Sequence, residues 1–409
     1  LCALALAVEG MWEPSQLLSQ GSALRQAGYL DEPSRLADLR GAPLGAVVSI
    51  GGCTASFVSD LGLLVTNHHC AVGMLQRAQK EGDNLVETGF YAPTRELERS
   101  AGAGARIWVT QNFEDVTAKV KAAVNDKTPD LARQERTDDV TKKLVADCER
   151  PGGLRCRVAS YYEGLRYTLI RQVELRDVRI VMAPPDSVGN YGDDIDNWHW
   201  PRHTGDFAFI RAYVGPDGKP AAYSPNNVPY SPPQRLTVSS RGPGPGEFVM
   251  IAGYPGGTSR WKTGLEVQRE ATLRLPSVME HGGWLLSMLE RRMATDPEAA
   301  ARINVPRQGL SNAIFNAKGT TEGFRRSGTV ESALARDVAL KAWVAADPQR
   351  TAKYDAAIRE LESRIVARDA DRERNTLMGW MGRSSMLSVA RELYRWSRER
   401  QKSDIKRQT

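Results

Sequence analysis

The sequence predicts a mixed β and α protein in two parts, a β-rich barrel or sandwich followed by a helical region. Three observations carry this expectation. From about 43 to 275 the chain is a series of short β-branched runs punctuated by Gly, Pro and Asn. From about 276 onward, apolar residues recur at three- and four-residue spacing with charge between them. At 409 residues the chain exceeds the usual size of one hydrophobic core, so two or more are expected.

Residues 1–9 open the chain differently. In LCALALAVEGMWEP an apolar run ends in small residues, and Ala5-Leu6-Ala7 resembles an A-x-A cleavage site. The segment reads as the remnant of a secretory signal peptide, cut at its start, with a short buried helix or strand as the other reading. The β-rich part then spans 10–275, with strands expected in GAVVSIGG, SFVSDLGLLVTN, ARIWVTQ, VELRDVRIVMA, DFAFIRAYV and EFVMIAGYP. A helical interruption is expected over 113–148, where apolar positions recur at three and four. The helical part, 276–409, is carried by SVMEHGGWLLSMLERRM, TVESALARDVALKAWVAA and YDAAIRELESRIVARDADRER. Asp296-Pro297 and Asp347-Pro348 mark helix junctions, because Pro suits a first helical turn.

Composition excludes several classes. Apolar content of 41% and charge of 25% fit a soluble globular chain rather than a disordered one. No apolar run approaches the roughly 20 residues that a bilayer span needs. The formal net charge of +6 is spread along the chain, and the Arg- and Glu-rich 359–407 region alternates in sign as a solvated helix face does. Neither a nucleic-acid partner nor a membrane span is expected.

Export changes how the cysteines read. Without Cys2, the cysteines left are Cys53, Cys70, Cys148 and Cys156, which in an oxidising compartment pair. Four cysteines allow three connectivities. Local spacing favours Cys53–Cys70 and Cys148–Cys156, each closing a short loop. The alternative, a zinc site, lacks any C-x2-C pair, so no metal is expected.

The chemistry concentrates in two stretches. In LLVTNHHCAVG a strand-like run ends in two adjacent histidines and a cysteine, although the chain has only five of each. A histidine held at a strand end beside a bridged cysteine has the rigidity a general base requires. The arrangement resembles the trypsin-like double β-barrel, where the catalytic His directly precedes a disulfide cysteine, and by that match the base is His69 rather than His68. The plainer reading makes both histidines surface or capping residues. The second stretch is GNYGDDIDNWHWPRHTGDFAFIRAYV. A catalytic imidazole needs a carboxylate to fix its tautomer, and Asp206, just ahead of the strand FAFIRAYV, is placed to supply it. Asp193, Asp194 and Asp196 lie in a Gly-rich loop and read as turn formers. His199 and His203 have H-x3-H spacing, but Pro201 between them argues against a metal-binding helix.

Together GGCTASFVSDLGLLVTNHHC and DNWHWPRHTGDFAFIRAYV resemble the bacterial S46 peptidases, the dipeptidyl aminopeptidases of Gram-negative periplasms. MWEPSQL, ETGFYAP, DVRIVMAPPDSVGNYGDDIDNW and IAGYPGGTSRW are similar to further landmarks of that family. The resemblance implies a chymotrypsin-like double β-barrel, incomplete here, with an inserted or capping α-helical domain. It makes His69 the base and Asp206 the orienting acid. Asn197 and Trp198 match the pair that holds a substrate's free α-amino group, for which an amide oxygen and an aromatic face are suited. Asn312, in GLSNAIFNAKG, resembles a helical-domain residue of the same amine pocket, or is simply a polar residue on a helix face.

The family's nucleophile is a Ser in a Gly-Asn-Ser-Gly-like turn beyond the helical insertion. Ser259 and Ser327 lack that glycine context, so the serine is expected outside this sequence, which reads as a fragment of the parent protein. The resulting expectation is an exported, periplasmic serine-type dipeptidyl aminopeptidase that acts on oligopeptides with a free N-terminus. It needs no cofactor and has a homodimer as a possible state. The alternative is a catalytically inactive peptide-binding homologue.

Overall fold

The structure, a computed structural model, describes residues 11–409 except 126, 193, 194, 196, 197, 199, 200, 256–261, 383, 404, 405, 408 and 409. The expected signal remnant, 1–9, lies outside the described residues. The chain divides into two compact units, residues 1–191 with 204–258, and residues 192–203 with 259–409. The architecture is mixed, a large antiparallel sheet in the first unit and helices in the second.

The sheet has eleven strands among the described residues: β1 Val47–Ser49, β2 Thr54–Phe57, β3 Leu63–Thr66, β4 Phe90–Tyr91, β5 Arg99–Ser100, β6 Ile107–Asp115, β7 Arg155–Tyr161, β8 Arg166–Leu175, β9 Asp177–Ala183, β10 Ala208–Val214 and β11 Val228–Pro229. Their order is β4-β9-β10-β3-β2-β1-β6-β8-β7, with β5 beside β9 and β11 beside β10. Every pairing is antiparallel. Alternation along the strands buries one face: Phe57, Leu64, Ile107, Leu175, Ile180 and Ile210 are all sealed from solvent. Helix α1, His68–Ala78, lays Ala71, Met74 and Leu75 onto this core, a spacing of three and four that a helix needs to present one face. A second, smaller core forms where α2, Asp130–Glu149, sets Val140 and Leu144 against Leu169 and Val158, and the Cys148–Cys156 disulfide ties the end of α2 to β7.

Two local expectations are corrected. Helix does not begin at 113, because β6 runs on to Asp115, paired with β8 as far as Thr168. The ladder wins there over a weak helical periodicity, and helix follows at Thr117–Lys121 and again in α2. EFVMIAGYP forms no strand, and Val249 and Ile251 stand exposed at 68% and 100%. A strand needs a neighbour for its backbone donors and acceptors, and none of the described residues offers this segment a ladder.

In the second unit helix starts at Gly264, ahead of the 276 expected, and residues 192–203 belong to the same unit. The π-turn Glu270–Arg274 joins the short α4, Gly264–Arg269, to α5, Leu275–Thr295; α6 is Pro297–Ser327, α7 Thr329–Ala345, α8 Ala356–Ala370, α9 Arg372–Met381 and α10 Ser385–Glu399 (α3 belongs to the first unit, at Asp186–Gly189). Asp296 caps α6 by accepting from the Ala299 N–H at 2.9 Å. Asp347 accepts from the N–H groups of Gln349 and Arg350 at 2.7 and 3.0 Å. Each Asp-Pro pair therefore supplies a cap followed by a residue with no N–H to satisfy. Gly282 of α5 lies against Leu310 and Ile314 of α6. Among the described residues no helix is long and apolar enough to cross a membrane.

Two outcomes test this packing. Phe57→Ala should cost about 3–5 kcal/mol in denaturant unfolding, since the ring is fully buried. Gly264→Ala sets opposing effects against each other. Helix propensity favours Ala by about 1 kcal/mol, but a β-carbon there would stand 2.7 Å from the Ala333 carbonyl carbon and oxygen. Backbone cannot swing aside, so overpacking at about 1–3 kcal/mol should win and the variant should unfold at lower denaturant.

Candidate active site

The site is assembled where β3 ends. Thr66 closes the strand, its hydroxyl donating to the Thr54 carbonyl at 2.8 Å. Asn67 stays extended at φ −77° and ψ 149°, and His68 begins α1. The Cys53–Cys70 disulfide fastens the first turn of α1 one residue beyond His69. On the neighbouring strand, β10 pairs with β3 so that Ala208 lies opposite Thr66. Carrying that register two residues past the strand ends brings Asp206 alongside the residues that open α1.

Asp206 meets them with both carboxylate oxygens. Its Oδ2 lies 2.9 Å from His69 Nδ1, its Oδ1 accepts from the His69 backbone N–H at 3.1 Å, and Asn67 Nδ2 donates to Oδ2 at 3.1 Å. The same amide donates to the Asp206 carbonyl at 3.2 Å. Asn67 makes no side-chain cap of its own, so Asp206 fills that role from another strand. It satisfies a first-turn N–H and places negative charge at the positive end of the helix. Burial works to raise the Asp206 pKa, but the hydrogen bonds from the His69 ring and backbone, the charge of His69 and the Asn67 amide outweigh it and hold the carboxyl below its ordinary range.

The side chain of Asp206 is 13% exposed and that of His69 is 67% exposed. The carboxylate is therefore sheltered while the imidazole faces outward. With Nδ1–H donating to Asp206, Nε2 keeps its lone pair and is free to take a proton, the arrangement a general base requires. Among the described residues no serine hydroxyl hydrogen-bonds to this ring. Ser327 is engaged in its own helix, donating to the Gly323 carbonyl at 2.7 Å, and Ser259 lies outside the described residues.

Cys53, His69 and Cys70 bring ligand-type atoms within 4.8 Å of one another. The two sulfurs are bonded to each other, so neither is the thiolate that a metal would bind. Of the H-x3-H pair, His199 lies outside the described residues.

In the second unit, Trp198 Nε1–H donates to Asn312 Oδ1 at 2.8 Å. Both residues line a cavity of about 380 Å³ with Arg274, Val278, Gly282, Leu310, Ala313 and Asn316. The structure thus brings together two of the three residues expected to hold an amine. The third, Asn197, lies outside the described residues. Sequence reasoning missed Asn316, whose signal was its position one turn beyond Asn312 on α6, where i and i+4 share a face. It also missed Asn67, the donor to Asp206, which was visible as the polar residue between strand end and His68.

The family model described as Peptidase S46 matches residues 7–409. An Asp/Glu-specific dipeptidyl-peptidase of Shewanella putrefaciens is 38% identical over 405 residues, which is 99% of this chain and 55% of the relative. Dipeptidyl-peptidase 7 of Porphyromonas endodontalis is 31% identical over 344 residues, 83% of this chain and 42% of the relative. The crystal structure of Porphyromonas endodontalis DPP11 in complex with the dipeptide Arg-Asp is similar at a TM-score of 0.80 and 31% identity, over 89% of this chain and 53% of that one. The chain spans about half the length of the curated relatives it matches. The match along almost the whole sequence, together with a histidine and an aspartate joined at a strand–helix junction, leads to one assignment: this chain belongs to the peptidase S46 family.

Proposed function

We propose that this chain supplies the base and the acid of a serine-type dipeptidyl aminopeptidase, which releases N-terminal dipeptides from oligopeptides. The observation that carries the reading is the His69–Asp206 hydrogen bond, with Nε2 left open on an exposed imidazole. The names of the relatives and the bound dipeptide in the DPP11 crystal structure support the substrate class.

In this reading His69 Nε2 takes the proton of a serine hydroxyl as its oxygen attacks the second peptide carbonyl. Asp206 stabilises the imidazolium, which then protonates the leaving amine. Water, activated by the same histidine, releases the dipeptide from the acyl-enzyme. The serine is proposed to lie in sequence beyond Thr409. Asn197, Trp198 and Asn312 hold the free α-amino group. The indole N–H donates to the Asn312 oxygen and fixes that amide beside the cavity.

A chymotrypsin-like double β-barrel with a helical insertion is part of the proposal. The strand-prone residues Val249, Met250 and Ile251, which stand exposed, support it as a strand without its neighbours. Export to the periplasm through a signal peptide is likewise proposed, and the two disulfides support an oxidising compartment.

Turnover by the full-length protein on a dipeptidyl chromogenic substrate tests the function. A free N-terminus should be required, with the N-acetylated substrate untouched. Hydrolysis of both alike would reject the amine-anchored reading, and binding without turnover would favour the inactive homologue. His69→Ala and Asp206→Asn should each lower kcat about 10³–10⁴-fold, the second by favouring the wrong imidazole tautomer. Acid stability gives a separate check. A carboxyl held below its unfolded value of about 3.9 contributes stability that is present above that pH and lost as pH falls through the folded value. Wild-type stability should therefore fall as the pH drops below about 4, and Asp206→Asn should flatten that part of the curve.

A further inference from the structure

The proposed function employs His69 and leaves its neighbour without a task. His68 is 1% exposed, and neither ring nitrogen has a hydrogen-bond partner among the described residues. An unpaired buried polar group costs stability, so stability alone would prefer an apolar ring here. The ring packs directly on Gly189, the last residue of α3. A β-carbon there would stand 2.3, 2.4 and 2.6 Å from Cγ, Nδ1 and Cδ2 of His68.

From that contact a closed circuit runs back to the dyad. Val188, beside Gly189, accepts from the Gly205 N–H at 2.9 Å. Gly205 is held so closely that a β-carbon would meet Val188 Cγ1 at 2.8 Å. Gly205 directly precedes Asp206, Asp206 holds the ring and backbone of His69, and His69 follows His68. Each link joins residues of the first unit. We propose that His68 is a positioning residue for the dyad, a neutral imidazole wedged between α1 and α3 that sets, through Val188 and Gly205, where the Asp206 carboxylate stands.

The surroundings keep that ring neutral. Burial lowers its pKa, and His69 on the same helix acts in the same direction. Asp186 of α3 and Asp206 ahead of β10 pull upward, as does the backbone of Pro184, and burial prevails. A proton taken up there would place a cation in a site sealed from water, loosening α3 from α1.

The inference rests on the proposed function for its effect on turnover, and the test separates the two. In the full-length protein, His68→Ala should lower kcat on the dipeptidyl substrate about 10–100-fold, the range expected for a misplacement near 1 Å, with KM little changed. Gly189→Ala should do the same, and the double variant H68A/G189A should recover much of the loss, since the added methyl then occupies the vacated space. His68→Phe, which restores the flat ring, should keep kcat near wild type. Below the ordinary histidine range the wild-type kcat/KM profile should steepen toward two protons, whereas H68F should keep a one-proton limb. The low-field NMR signal of the proton between His69 Nδ1 and Asp206 should persist in H68F and vanish in H68A. Wild-type kcat in H68A, with that signal intact, would overturn the inference. If the wild-type protein hydrolyses no dipeptidyl substrate the functional reading fails, and the NMR comparison still decides the role of His68.

Discussion

The carboxylate of Asp206 is where three separate pieces of the fold are made to agree. It accepts from the His69 ring, from the His69 backbone N–H and from the Asn67 amide. Those donors belong to the end of β3 and the first turn of α1, whereas Asp206 leads into β10. The interaction is available only because β10 and β3 pair in one register. A slip of one residue would send every side chain to the opposite face, exposing Ile210 and carrying Asp206 away from His69. The hydrophobic alternation that builds the core is thus also what aligns the dyad.

This carboxylate does structural and chemical work with the same two oxygens. As a helix cap it offsets the unsatisfied N–H at the start of α1. As a hydrogen-bond acceptor for Nδ1 it fixes the ring and its tautomer. The disulfide at Cys70 holds the same turn from the other side. Because the imidazole is exposed and the carboxylate sheltered, a proton can reach Nε2 while the orienting interaction remains protected from competing water.

The second unit solves a different problem by similar means. An amide on an exposed helix face would rotate freely, but the indole N–H of Trp198 holds the Asn312 oxygen in one orientation. The adjoining cavity is lined by the apolar Val278, Leu310 and Ala313 and by the polar Arg274, Asn312 and Asn316.

Much of this was legible in the sequence because the signals are local. β-branched runs between turn residues marked β1, β3, β6, β9 and β10 and the ends of β2 and β8, Asp-Pro pairs marked the starts of helices, and NHHC and TGDFAF marked His69 and Asp206 by residue type and by resemblance. Where local signals conflicted with pairing, pairing decided: 113–115 stayed in β6, and EFVMIAGYP found no neighbour and made no strand. The tertiary structure alone determined that Asn67 supports Asp206, that Asn316 shares a cavity with Asn312, and that His68 rests on Gly189. Each of these is a contact between segments far apart in the chain or between successive turns of a helix. The sequence by itself determined which residue types stand at strand ends and helix starts. Only the β3–β10 register, fixed by burial of one sheet face, determined which of them meet.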